Sequence, residues 1–152
     1  MLAPVMARAR RRAVRAGDAE IDSGHLLHAL LESDEQVLGL AAPQPTQATR
    51  LMGYLAQRSI GFGRDWQQGE GESADEGAGI PRQRLALQPG LSDAAEAAVG
   101  RARVAALVRD AGEADPLDLL AELASDPGSR AAKMLKGAGA DPSEVAVRAR
   151  QR

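Results

Sequence analysis

The sequence predicts an all-α protein, and three observations carry that expectation. Apolar residues recur at spacings of three and four, Ala, Leu, Val and Met supply nearly all of them, and the β-branched and aromatic runs that strands favour are missing. Only Tyr54, Phe62 and Trp66 are aromatic, so the core must be built from small and aliphatic side chains that suit close-packed helices.

The elements follow in order. A first helix runs from about Pro4 to Ala16 with Val5, Ala9, Ala13 and Ala16 on one face, and Gly17 stops it. Asp22 or Ser23 caps a second helix whose Leu26, Leu27, Leu30 and Leu31 make a broad buried face. A short helix around Glu35–Ala42 ends before Pro43 and Pro45, and another spans Thr46 to Arg58. From Gly61 to Gly90 glycines alternate with charges, and no apolar periodicity returns until Leu85 and Leu87. A structureless stretch of about thirty residues is uncommon inside a compact domain, so it reads as a flexible linker between two units.

Beyond it, Ser92 caps a helix through Ala95, Val99, Ala102, Ala106 and Leu107 that ends around Gly112. Asp115-Pro116 opens a helix with Leu119, Leu120 and Leu123, and Asp126-Pro127-Gly128 is a turn. Ser129 to Lys136 forms a short helix, and Asp141-Pro142 starts the last one. Sliding the chain by 93 residues places Leu26, Leu27 and Leu30 on Leu119, Leu120 and Leu123. The same shift places Met6, Ala9, Ala13 and Val14 on Val99, Ala102, Ala106 and Leu107. The pattern of a shared apolar skeleton under a drifting surface is that of an internal duplication. The expected organisation is a first helical repeat over 1–60, a linker over 61–90 and a second repeat over 91–152.

Composition narrows the function classes. The chain has 152 residues, no cysteine and a formal net charge of −2. Disulfide frameworks and thiolate metal sites are therefore excluded, and there is no global attraction to nucleic acid or anionic membrane. The predominance of arginine over lysine fits a GC-rich, actinobacterial-type composition. No apolar run approaches the roughly 20 residues of a membrane span, and the charges at the start follow the short apolar stretch instead of preceding it. A cytoplasmic protein is the expectation.

The stretch from Gly17 to Leu31, with Ile21, Ser23, His25, Leu26, Leu27, Leu30 and Leu31, resembles the Gly-His-x-x-Ile-Gly-Thr-Glu-His-Leu-Leu signature of the Clp N-terminal repeat domain family. Leu91-Ser92-Asp93 resembles the Phe-Thr-Pro that opens that family's second repeat. Arg130-Ala131-Ala132-Lys133-Met134-Leu135, followed by Gly139, resembles its Val-Ala-Ala-x-x-Leu…Gly segment. The resemblance implies two pseudo-symmetric four-helix repeats packed as one bundle, a free-standing relative of the receptor domain of Clp ATPases. It implies a non-enzymatic module that binds Clp substrates, adaptors or cyclic peptides, in a chaperone or proteolysis-adaptor role, as a monomer or weak homodimer. The implied groove lies where the first helix meets the start of the second repeat, at Val5, Met6, Pro89, Leu91, Ser92, Ala95 and Val99. Some family members read phosphoarginine with a threonine and a glutamate in each repeat. Here Ser92 keeps one hydroxyl, but Gly24 and Leu117 stand at the glutamate positions, which removes the carboxylate that a guanidinium needs. The second histidine position holds Asp118, a sign of drift.

Three other features have competing readings. His25, His28 and Glu32 share a helix face, as a zinc site would require, but three ligands on one helix rarely converge, and packing or solvated residues are the simpler reading. Arg8, Arg10, Arg11, Arg12 and Arg15 make the first helix basic, which suits a DNA-associated regulator, an acidic protein partner or a solvated face. No interleaved aromatics are present to stack bases. Phe62 and Trp66 either anchor a partner or fold back over the bundle. No cofactor is expected. Without a Gly-x-x-x-x-Gly-Lys-Ser/Thr loop, the protein should neither bind nor hydrolyse ATP. Isothermal calorimetry is expected to record no saturable nucleotide heat, and a saturable one would overturn this.

Overall fold

The computed structural model describes residues 2–59 and 89–151. Those residues are mostly helical, joined by short turns, with no strand among them. The elements are α1 (Ala3–Ala16), α2 (Ser23–Ser33), α3 (Glu35–Ala41), α4 (Pro45–Ser59), α5 (Asp93–Val108), α6 (Pro116–Ser125), α7 (Arg130–Gly137) and α8 (Pro142–Gln151). Most of the expected linker, with Phe62 and Trp66, lies outside the described residues.

Local sequence explains the boundaries. Asp22, Asp34, Ser92, Asp115 and Ser129 each cap a helix by accepting a backbone N–H of its first turn. Gly17 closes α1 in the left-handed region, φ 76°, and its N–H reaches Val14 O while that of Asp18 reaches Ala13 O. The end of α5 departs from the sequence expectation. It stops at Val108 instead of near Gly112, because Asp110 takes the left-handed conformation, φ 61°, that a glycine usually supplies. Aspartate is among the few residues that tolerate it. The bonds of this turn repeat those of the first one 93 residues on: Asp110 N–H to Leu107 O and Ala111 N–H to Ala106 O.

Burial follows the same offset. Leu2, Val5, Ala9 and Ala13 of the first segment and Ala95, Ala98, Ala102 and Ala106 of the second are all buried. Leu26, Leu27 and Leu30 on α2 and Leu119, Leu120 and Leu123 on α6 are completely buried. Val14 and Leu107 match each other but are not core residues, being 51% and 72% exposed. Each stands on the solvent side of its helix, beside the buried Ala13 or Ala106.

Helix α1 packs on α2 and α5 on α6, and α6 lies along α8. The N- and C-terminal helices interlock: α2 meets α6 and α7, α3 meets α6 and α8, and α4 meets α7. Polar bonds fasten these crossings. Ser23 Oγ accepts the Ala131 N–H at 3.0 Å, and Arg148 Nε donates to Leu40 O at 3.0 Å, satisfying a carbonyl at the end of α3. Where α4 crosses α7, the Tyr54 ring lies so close to Gly137 that a Cβ there would stand 2.7 Å from it. With α2 buried on nearly every side, Leu30→Ala is expected to cost about 2–5 kcal/mol through lost burial and the cavity left behind. Urea unfolding followed by circular dichroism measures it, and a loss under about 1 kcal/mol would contradict this packing.

Candidate functional site

The polar side chains inside the bundle decide which groups remain for chemistry. The N–H of Asp22 donates to His25 Nδ1 at 2.9 Å, and Asp22 Oδ1 accepts the His25 N–H at 3.0 Å, which completes a reciprocal cap at the start of α2. Nδ1 therefore acts as an acceptor, and Nε2 carries the ring proton toward Asp18 Oδ2 at 2.8 Å. Arg130 of α7 closes on Asp22 Oδ2 at 2.9 Å. His25 and both carboxylates are buried, so this chain of groups joins the α1–α2 turn, the α2 terminus and α7.

The start of α6 solves the same problem with different chemistry. Asp118 stands at the position of His25, its Oδ2 accepts the Asp115 N–H at 2.9 Å, and Asp115 Oδ1 accepts the Asp118 N–H at 2.9 Å. Where His25 donates to Asp18, Asp118 accepts from Arg109 Nη2 at 2.6 Å. Asp118, which looks like drift in the sequence, thus keeps the structural role with the charges exchanged.

His28 is not solvated, as the simpler reading of the sequence had it, but 5% exposed. Its Nε2 lies 3.5 Å from Glu32 Oε2, and Glu32 also takes the guanidinium of Arg12 and, at 4.0 Å, that of Arg8. Two arginines of the basic helix are thereby tied to α2, whereas Arg10, Arg11 and Arg15 are exposed. Among the described residues no three His, Cys, Asp or Glu side chains form a group able to hold a metal ion.

A cleft of about 450 Å³ opens on the surface between the start of α1 and the second half of α5. Leu2, Ala3 and Met6 form one wall, Arg103, Ala106 and Leu107 the other, and residues 111–114 the end. Val104, three residues before Leu107 and four before Val108, is exposed on α5, as is Val108, so this helix carries further apolar surface beside the cleft. Of the seven residues expected to line a groove, Met6 alone lies on this cleft. Val5, Pro89, Ser92, Ala95 and Val99 are buried, and Leu91 is half-buried. The Ser92 hydroxyl caps α5 by accepting the Ala95 N–H at 3.1 Å. Gly24 and Leu117 are also buried, in the first turns of α2 and α6. Sequence reasoning placed Ala106 and Leu107 together on the shared apolar skeleton, so the exposed wall at Leu107 went unread. The cue was available in the consecutive run Val104 to Val108, which is too wide for a single buried stripe.

No protein-family model, no curated protein and no solved structure matches the chain. No described helix is long and apolar enough to cross a membrane.

The His28 environment has a measurable consequence. Burial, then the Arg12 charge, lower its pKa from 6.5 to about 4, with Glu32 opposing and His25 adding slightly. Between those values the unfolded chain binds a proton that the folded protein refuses. Stability from this group is complete above pH 6.5 and is lost as pH falls toward 4, by up to roughly 3 kcal/mol. His28→Gln is expected to flatten the stability–pH curve over that window in chemical denaturation. Parallel curves for the two proteins would assign the acid sensitivity elsewhere.

Proposed function

We propose that this protein is a non-enzymatic binding module of the Clp N-domain type, built from two four-helix repeats, which takes peptide segments, adaptors or cyclic peptides. The apolar cleft between α1 and α5 carries the proposal. It is a concave surface on which aliphatic side chains remain available, and Met6 gives its wall an adaptable thioether. The histidines, by contrast, are engaged in caps and ion pairs within the bundle, which suits them to structural work more than to proton transfer. The recurrence of caps, turns and buried positions at the 93-residue offset supports the repeat reading. Its reach into the region of the Clp-like signature supports the family comparison.

The test uses a fluorescently labelled, permanently unfolded protein such as reduced carboxymethylated α-lactalbumin, with anisotropy as the readout. Met6→Asp and Leu107→Asp are each expected to weaken binding at least tenfold while the helical spectrum is retained. Replacing Arg10 and Arg11 by alanine should change affinity less than threefold. The reverse pattern, together with strong retention on heparin, would place the site on the basic helix and favour a DNA-associated protein.

A further inference from the structure

The two helix–turn–helix connections of the fold share the same turn bonds and caps, and one of them is completed by an extended segment that the other lacks among the described residues. In residues 17–22, the left-handed Gly17, the two turn bonds and the Asp22 cap bring Ile21 into an isolated parallel β-bridge with Leu91. The Ile21 N–H donates to Gly90 O at 2.8 Å, and the Ser92 N–H donates to Ile21 O at 2.9 Å. The equivalent residues 110–115 repeat the left-handed residue at Asp110, both turn bonds and the Asp115 cap. This puts Ala114 in the position of Ile21.

Ala114 is only 4% exposed, yet its N–H and C=O take no partner among the described residues. Backbone groups so placed are normally paired. They stand at the end of the α1–α5 cleft, whose apolar lining includes Leu2 on one wall and Ala106 and Leu107 on the other. Arg103, also on the wall, is exposed and has no carboxylate partner among the described residues.

We infer that the cleft binds an extended peptide from a partner protein, added to Ala114 as Gly90–Ser92 is added to Ile21. The inference rests on the cleft being the binding site proposed above. The peptide runs parallel to the 110–115 turn. Ala114 N–H donates to the carbonyl preceding an aliphatic residue of the peptide, and Ala114 C=O accepts the N–H following that residue. The aliphatic side chain lies on the apolar wall. The Arg103 guanidinium favours an acidic residue beside it, so the ligand class is an extended aliphatic–acidic peptide. The protein's own segment Pro89-Gly90-Leu91-Ser92-Asp93 has that character and serves as the template.

The experiment titrates the ¹⁵N-labelled 152-residue protein with acetyl-Pro-Gly-Leu-Ser-Asp-amide and follows amide shifts. A saturable downfield shift of the Ala114 amide proton is expected. N-methylation of the peptide's serine, which removes the N–H offered to Ala114 O, should weaken binding at least tenfold. Arg103→Ala should weaken the aspartate peptide severalfold and leave an asparagine peptide unchanged. Unchanged affinity for the N-methylated peptide, equal Arg103→Ala effects on both peptides, shifts centred on Ile21, or no shift at millimolar peptide would each overturn the inference. If unfolded α-lactalbumin still binds and Met6→Asp still removes it, the binding-module reading survives that failure. If neither ligand binds, both fall.

Discussion

Burying the first turns of α2 and α6 is the constraint from which the rest of the structure follows. A helix end exposes backbone N–H groups that water ordinarily satisfies, and at the starts of these two helices little water is available. The protein answers with reciprocal caps, Asp22 with His25 and Asp115 with Asp118, and then must neutralise and orient the caps themselves. Asp18 and Arg130 do so at α2, and Arg109 does so at α6. Those second partners come from the preceding turn and, in the case of Arg130, from the far part of the chain. At α2 the cap is therefore complete only once the far part of the chain has packed against it.

The same constraint explains why charged groups sit inside an otherwise aliphatic protein. An ionised group is tolerated in such a place only when paired and hydrogen-bonded, and a pair of this kind stabilises less than it specifies. His25 and Asp118 show that the requirement is for an acceptor at the third position of the helix, not for one residue type. A neutral imidazole with an aspartate behind it and a carboxylate with an arginine behind it leave the same acceptor facing the cap. The charge is reversed in the outer group and conserved in function.

Against these matched turns and caps, the differences between the two turns stand out. The turn before α2 is completed by backbone from the segment entering α5, while the turn before α6 opens onto a cleft. The exposed side of α5 bears Val104, Leu107 and Val108, whereas the corresponding side of α1 bears arginines around Val14. Helices α1 and α5 thus present one basic and one apolar face.

Helix identity, most boundaries and the central leucine faces were determined by local sequence. Capping aspartates and serines, the Gly17 stop and the three-four spacing of Leu, Ala and Val act within a single turn or two, so they are legible without a fold. The 93-residue correspondence was legible for the same reason. What tertiary structure alone decided was the side of each helix that stays wet. Val14 and Leu107 carry the same apolarity as their buried neighbours, and only the direction from which α2 and α6 approach leaves them outside. The early end of α5 at Asp110 lay outside local rules, since aspartate tolerates a left-handed backbone without demanding it. Ser92 and Val99 were expected on a groove but are buried, and Met6 reaches the cleft. Periodicity places these residues on an inner face, but the packing of α1 and α5 around two shared central helices determines where that face closes and where it stays open.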